Sequence, residues 1–426
     1  MERRRFISCG PIPGKQIRRL EKAADLKPIS YILLSFIIKR KNNMENNKSR
    51  RGFLEKSLLG SALALTGLPG VVLSKEVANS PVKNGIDAFK KIKPDKVLRS
   101  FPENMVWGYF GADVPSKISV KEGEIVEIHS ISTSGVSRED PESFFKENNL
   151  ALDDHAKELI DIINNVPPEP SGIRGHMLTG PVFIEGAMPG DSIEIRIHDV
   201  RLRSDYGVNH VRPGSRDDVP LEIKHQESYV YKYNKKRTSA ELLPGVEIPL
   251  KPFMGVMALS PPPETGRVSS IPPDFFGGNL DLKHLIKGTS LTLPVSVEGG
   301  LFTTGDAHGA QGNGEVSGTA IETSMILVVE FIIHKKTIQM PVAETPDHFI
   351  VLGLNPDLDE AMKQALQQSV VFIHEKLGFT YEEAMSISST AVDFEVTQVV
   401  DRTEGVHAMI PKSIFTNQKF DYWYSS

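Results

Sequence analysis

At 426 residues, with 39% hydrophobic and 24% charged positions, the chain can bury a large core and has the composition of a soluble globular protein of about two or three structural units. A formal net charge of -5, with no basic stripe interleaved with aromatics in the body, argues against nucleic-acid binding. The single cysteine, Cys9, lies near the N-terminus, so the body has no disulfide, no thiolate metal ligand and no cysteine nucleophile.

Residues 1–43 are basic (Arg3, Arg4, Arg5, Arg18, Arg19, Lys39, Arg40, Lys41) with one apolar run, Ile29 to Ile38, and read as an upstream extension, with the true start at Met44. Residues 44–79 read as an export signal. Ser49-Arg50-Arg51-Gly52-Phe53-Leu54-Glu55-Lys56 resembles the twin-arginine consensus. The run after it, Ser57 to Leu73, is softened by Gly60, Gly67 and Gly70 and is short for a bilayer span. An exported, periplasmic or otherwise extracytoplasmic bacterial protein is expected, handled by the twin-arginine machinery. Cleavage is expected in the region Ser74 to Ser80, where a clean A-x-A is missing.

From about residue 95 the chain reads mainly as strands. Glu124 to His129 and Asp191 to Asp199 alternate with period two, as half-buried antiparallel strands do. Lys121-Glu122-Gly123 and Pro189-Gly190-Asp191 supply the turns before them. Between these strands, Ala151 to Ile163 has helical spacing. His198 shares a strand face with Glu194 and Arg196 and is expected in solvent, as is His334 beside Lys335 and Lys336. Met254 and Met257 read as packing. Pro261 to Pro273 reads as an ordered surface loop leading into Gly277-Gly278-Asn279-Leu280-Asp281. Leu291 to Val297 and Met325 to Ile333 are continuously apolar and read as core strands.

The body, 95–426, divides into a β-rich part, about 95–345, and an α+β part, about 346–426. In the latter, Leu358, Met362, Ala365, Leu366, Val370, Ile373 and Leu377 follow helical spacing until Gly378 closes the helix. Thr380 and Glu383 form a capping box for a second helix to about Ser389, and Phe394 to Val400 returns to strand. The fold class is therefore mainly β with an α+β C-terminal part, a helix-helix-strand element.

The stretch richest in chemistry runs from Gly305 to Val316 and holds Asp306, His308 and Glu315 among glycines at 305, 309, 312 and 314. With the chain extended at Asp306, residues two apart share a face, so Asp306 and His308 project together. The glycines let the backbone turn and bring Glu315 back to that pair. A carboxylate and an imidazole on one face begin a divalent-metal site, zinc favoured by the imidazole and calcium the alternative. A metal there could activate water for hydrolysis. Glu315 could be a ligand or a general base, and spacing does not separate the two. The competing reading is a Gly-rich turn with its polar groups in solvent. Gly312-Asn313-Gly314 is neither a dinucleotide fingerprint nor a P-loop.

The string from Gly305 to Glu322, GDAHGAQGNGEVSGTAIE, is similar to the signature of the acetamidase/formamidase family, commonly GDAHAAQGDGEVCGTAIE. Other blocks follow in the family's order from about Trp107-Gly108 to the C-terminus. His176 to Asp191 resembles H-x-x-x-GP-x-x-x-EGA-x-PGD, Pro252 to Ala258 resembles PF-x-G-x-M, and Gly277 to Asp281 resembles GGN-x-D. Leu293 to Val295 matches LPV, and Glu344 to Pro346 matches ETP.

The resemblance implies a jelly-roll-like β-sandwich, a small β-barrel region and an α+β element, often assembled as homo-oligomers. It also implies a metal-dependent amidase that splits the C–N bond of a small linear carboxamide, formamide- or acetamide-like, to carboxylate and ammonia with metal-activated water. On this resemblance Asp306, His308, Asp281 and Glu315 are the metal-site candidates, and Glu315 is also the candidate proton acceptor. His176 would orient substrate or complete the metal shell, and Asn279 and Gln311 carry amides suited to a carboxamide or an oxyanion. Ordinary readings stand beside these: an Asx turn at Asp281, a structural His176, loop hydrogen bonding by Asn279 and Gln311. Glu185 lies deeper in the site or simply holds the Gly186 turn.

Two departures matter. Ser317 stands where the family frequently has Cys, which excludes a thiol there, and no motif places a base beside it. Asn313 stands where Asp is common and removes one carboxylate. Two other functions stay open: a lactam or N-formyl amide hydrolase on the same scaffold, and a secreted β-sandwich binding protein with a structural metal.

Overall fold

The computed structural model describes residues 92–213 and 222–424; the upstream extension, the twin-arginine motif, the apolar run after it and Cys9 lie outside the described residues. Strands are numbered in chain order. One sheet has nine strands, in spatial order β1 (Lys96–Leu98), β5 (Ile125–His129), β18 (Met325–His334), β7 (Ser192–Leu202), β15 (Ser290–Pro294), β19 (Val342–Glu344), β20 (His348–Asn355), β22 (Glu404–Pro411) and β21 (Asp393–Gln398). Its pairs are antiparallel except β1 with β5.

The other large sheet has eleven strands. Its path is β11 (Val246–Pro249), β10 (Ser239–Leu243), β9 (Glu227–Tyr233), β8 (Tyr206–Val211), β17 (Glu322–Thr323), β16 (Phe302–His308), β12 (Phe253–Ala258) and β14 (Gly277–Asn279). β6 (Met177–Ile184) joins β16 and carries β2 (Met105–Trp107) and β4 (Ile118–Val120). β3 (Tyr109–Phe110) and β13 (Val268–Ser269) make a separate pair.

Period-two alternation explains the main core. Ile193, Ile195 and Ile197 of β7 all turn inward, beside Leu327, Val329 and Phe331 of β18. Val182 and Ile184 of β6, Met254 and Met257 of β12, and Phe302 of β16 join the same cluster from the eleven-stranded sheet. Each fully buried side chain of this size is worth about 1.5–3 kcal/mol.

The outward face of β7 is not the solvated face expected for His198. Its Nε2 lies 3.1 Å from Glu330, and Trp423 near the C-terminus packs edge-on against the ring at 5.0 Å. Arg196 lies under the same indole, so a tryptophan distant in sequence roofs this charged face. His334 is exposed as expected and reaches Glu194.

Helices α1 (Pro141–Glu147) and α2 (Asp154–Asn165) lay Phe144, Phe145, Leu159, Ile162 and Ile163 over Met105, Met177 and Val208. Helices α3 (Leu358–Leu377) and α4 (Tyr381–Ala391) cover the β20–β22 end of the nine-stranded sheet through Ile373 and Ala384. The Gly378 stop and the Thr380/Glu383 box are those the sequence predicts, and the Asp357 N-cap is added by the structure. Asp357 accepts from the Asp359 and Glu360 amides, Gly378 is left-handed at φ 80°, and Thr380 and Glu383 form the reciprocal box.

The apolar run Leu291 to Val297 ends as strand at Pro294. A further strand, β16, then crosses the molecule and carries the first residues of the glycine-rich stretch. β16 was not foreseen, and it positions the site.

Candidate active site

β16 lies between β12 and β17 and carries Asp306 and His308 at its end. His308 stands directly opposite Glu322 of β17, so the two side chains share a face. From the other side, the chain leaving β14 delivers Asp281. Gly255 of β12 lets these groups close together: a Cβ there would stand 2.6 Å from Asp281 Oδ1 and 2.8 Å from His308 Cε1. That is the physical reason for glycine in the Pro252–Ala258 block. The glycine-rich stretch is stitched to β21, since Gly314 N–H donates to the Thr397 carbonyl and Val399 N–H to that of Gly314. This folds Glu315 back towards His308, where it joins Asp281.

Asp306 and His308 come together within strand β16, as expected, although the backbone turns left-handed at Asp306 itself. Asp306 has φ 51°, Asp281 φ 50° and Glu315 φ 44°. Three carboxylates of one cluster thus sit in the left-handed region, which is strained for residues other than glycine.

The distances define two sides of the His308 ring. Nε2 lies 3.2 Å from Asp306 Oδ2 and 3.3 Å from Glu322 Oε1. Nδ1 lies 2.9 Å from Gln311 Oε1 and 3.6 Å from Asp281 Oδ1. Gln311 Nε2 donates to the Asp281 backbone carbonyl, so its Oε1 is left to accept from His308 Nδ1–H. With Nδ1–H held by Gln311, Nε2 is the ring atom turned towards two carboxylates. Gln311 is therefore an orienting group with both ends engaged, and the substrate or oxyanion contact expected of it does not fit.

Asp281, Asp306, His308, Glu315, Glu322 and Asp401 gather here, all but Asp306 buried. Burial pushes Glu322 and Asp401 up to about 7. Burial, then the Asp401 carboxylate, raises Asp281 well above the carboxylate range; burial, then Asp281, does the same for Glu315. Burial also opposes ionisation of Asp306, but His176 and His308 outweigh it and hold that carboxyl low. For His308, burial disfavours the imidazolium, yet Glu322 and Asp306 hold it well above 6.5.

One proton on His308 cannot compensate five carboxylates. Among the described residues, both oxygens of Asp281, Oδ2 of Asp401 and Nε2 of His308 are buried without a well-aligned hydrogen bond. The donors fit a divalent cation. Two overlapping triads, Asp306/His308/Glu322 and Asp281/His308/Glu315, bring one ligand atom each within 4.8 Å of one another. The imidazole suits zinc, and the oxygen majority also suits a harder ion.

A cavity of about 800 Å³ opens on the cluster, lined by His176, Asn279, Asp306, Glu315, Glu322 and Asp401. His176 Nε2 is 3.8 Å from Asp306 Oδ2, and the ring is steadied by Ser270 Oγ at 3.1 Å from Nδ1, a contact from the Pro261–Pro273 segment. Asn279 Oδ1 is buried and unpartnered. Ser317 lines the cavity, but its hydroxyl meets only Asn209 Nδ2 and the Thr319 carbonyl, neither of them a base. Asn313 donates to Glu395 and lies outside the cluster, so the missing carboxylate costs the cluster nothing. Glu185 is exposed, takes the Ser119 hydroxyl at 2.8 Å and has no place in the site.

Glu322 and Asp401 are members that sequence reasoning missed. Glu322 is the last residue of the eighteen-residue signature and was legible there. Asp401 follows β21, where Gln398 Oε1 holds its backbone N–H, and has no local signal.

The Acetamidase/Formamidase family model matches residues 99–267 and 264–417. A formamidase of Methylophilus methylotrophus is 26% identical over 314 residues, 56% of this chain and 77% of that protein. A putative formamidase of Schizosaccharomyces pombe is 24% identical over 257 residues, 48% of this chain and 58% of that protein. The crystal structure of an acetamidase from Bacillus halodurans superposes with a TM-score of 0.62 at 23% identity, covering 76% of this chain and 100% of that one. That of a predicted acetamidase/formamidase from Thermoanaerobacter tengcongensis gives 0.62 at 22%, covering 76% and 97%. These two structures share the fold.

Proposed function

The chain belongs to the Acetamidase/Formamidase family, and from that premise we propose that it hydrolyses the C–N bond of a small linear carboxamide to a carboxylate and ammonia. The observation that carries the reading is the buried set of carboxylates around one imidazole, opening on a cavity and left short of positive charge. The formamidase and acetamidase names of relatives support the substrate class.

Asp306, His308 and Glu322 would hold a divalent cation, zinc by the imidazole, with Asp281 near the other ring nitrogen and Glu315 lining the same cavity. Bound there, such a cation would supply Lewis acidity for the amide carbonyl and for water. Gln311 fixes the tautomer of His308, the outer contact that commonly sets a ligating imidazole. Glu315 takes the proton of the attacking water and passes it to the leaving nitrogen; burial and Asp281 give it the raised proton affinity this needs. Asn279 Oδ1 accepts an N–H of the carboxamide and fixes which end of the substrate enters. His176, against Asp306, closes the cavity wall and orients the substrate. Export on the twin-arginine route belongs to the same reading and rests on Ser49 to Lys56.

The test is His308→Ala. It should hold one divalent ion fewer per chain than the parent and release ammonia from formamide and acetamide at least about 10³-fold more slowly. Hydrolysis at the parental rate would overturn the assignment. A panel adding lactams and N-formyl amides identifies the class hydrolysed.

A further inference from the structure

Away from that cluster, His284, Glu395 and His407 bring one ligand atom each within 4.8 Å of one another. Glu395 of β21 and His407 of β22 are directly opposed cross-strand partners, with Oε2 and Nε2 3.7 Å apart. His284, three residues after Asp281, packs its ring edge-on against His407 at 5.2 Å. Among the described residues, Nε2 of each histidine is buried and has no hydrogen-bond partner, and His407 is wholly buried.

Ordinary cross-strand packing does not account for this. His407 Nδ1 is engaged by the buried Thr397 hydroxyl at 2.8 Å. Either tautomer therefore leaves Nε2 stranded, as a bare lone pair facing a carboxylate or as an N–H with no acceptor in range. Burial holds both imidazoles in the neutral form that ligates metals. Asn313 steadies Glu395 by donating to Oε2. His284 and Asn313 also border a second cavity of about 880 Å³, which gives an ion a way in. An oriented imidazole with a second beside it, a hydrogen-bonded carboxylate and access from a cavity are what a zinc-type site requires.

We infer that His284, Glu395 and His407 form a second divalent-cation site, of zinc class, separate from the cluster around His308. The ion ties β21 and β22 to the segment after β14 that carries Asp281. Through Asn313 it also braces the stretch that carries Glu315. The site shares no residue with the first, so it stands whether or not the amidase reading does.

The experiment is a zinc titration of the full chain, read by calorimetry and elemental analysis. The His308→Ala chain should bind one equivalent of zinc. Adding His284→Ala or Glu395→Gln should weaken that binding at least about tenfold, and Thr397→Val by about tenfold through the orienting hydroxyl. Should His308→Ala fail to fold, the parental chain serves: its zinc content should fall by one equivalent on His284→Ala, a half-buried position that tolerates truncation. Zinc affinity and stoichiometry unchanged by both His284→Ala and Glu395→Gln would overturn the inference, as would a folded His308→Ala chain that binds no zinc.

Discussion

At the scale of single residues, two positions carry most of the argument. Gly255 has no room for a methyl group, so Gly255→Ala should push Asp281 and His308 apart and lower kcat at least about 100-fold while the fold survives. Measuring kcat alongside the circular dichroism spectrum checks this, and an active Gly255→Ala enzyme would contradict the packing argument. Gln311→Leu removes the acceptor for His308 Nδ1–H, and divalent-ion affinity should fall about 10–100-fold, read by competitive chelation. Unchanged affinity would return Gln311 to the role of a loop residue. The sequence showed Asp306, His308, Glu315 and Asp281 because they sit in short, glycine-marked strings. It could not show that Gln311 has both amide ends engaged, since one partner is thirty residues away. Nor could it show Asp401, which arrives from the far end of the chain.

At the scale of elements, local rules were legible wherever one side chain answers a near neighbour. The Gly378 stop of α3 and the capping box of α4 are of this kind. Asp357, which caps the start of α3, was not foreseen, and Asp357→Ala should cost about 1 kcal/mol in urea unfolding, against no measurable change if the cap were idle. β16 was illegible because its residues, Phe-Thr-Thr-Gly-Asp-Ala-His, alternate weakly while being paired on both edges and covered on both faces. In α2, both ring nitrogens of His155 are buried and unbonded, and burial pushes its pKa from 6.5 down to about 4. Protonation thus favours the unfolded chain. The stability is complete above about pH 6.5 and is lost as pH falls towards 4, by roughly 3 kcal/mol at most. His155→Leu should flatten that slope between pH 7 and pH 4.5 relative to the parent. Parallel profiles would show that His155 does not couple folding to pH.

At the scale of the whole molecule, two large sheets share one core, and the site forms where β16, β17, the chain after β14 and the tail of β21 meet. Mainly β architecture and the late helices were legible from periodicity. The path of the eleven-stranded sheet was not, because its pairings join segments far apart in sequence, such as β6 with β16 and β12 with β16. Replacing Arg50 and Arg51 by Lys should leave the chain in the cytoplasm of a twin-arginine-competent bacterium; unaltered export would remove that signal from the account. The central claim is that a divalent cation among Asp306, His308 and Glu322 is required to split a carboxamide. Its most direct test is ammonia release from formamide and acetamide by the same preparation before chelation, after it, and after zinc is returned. The rate should fall at least about 100-fold and recover with zinc. A rate that survives complete removal of metal, or no ammonia from any amide at full metal occupancy, would contradict it.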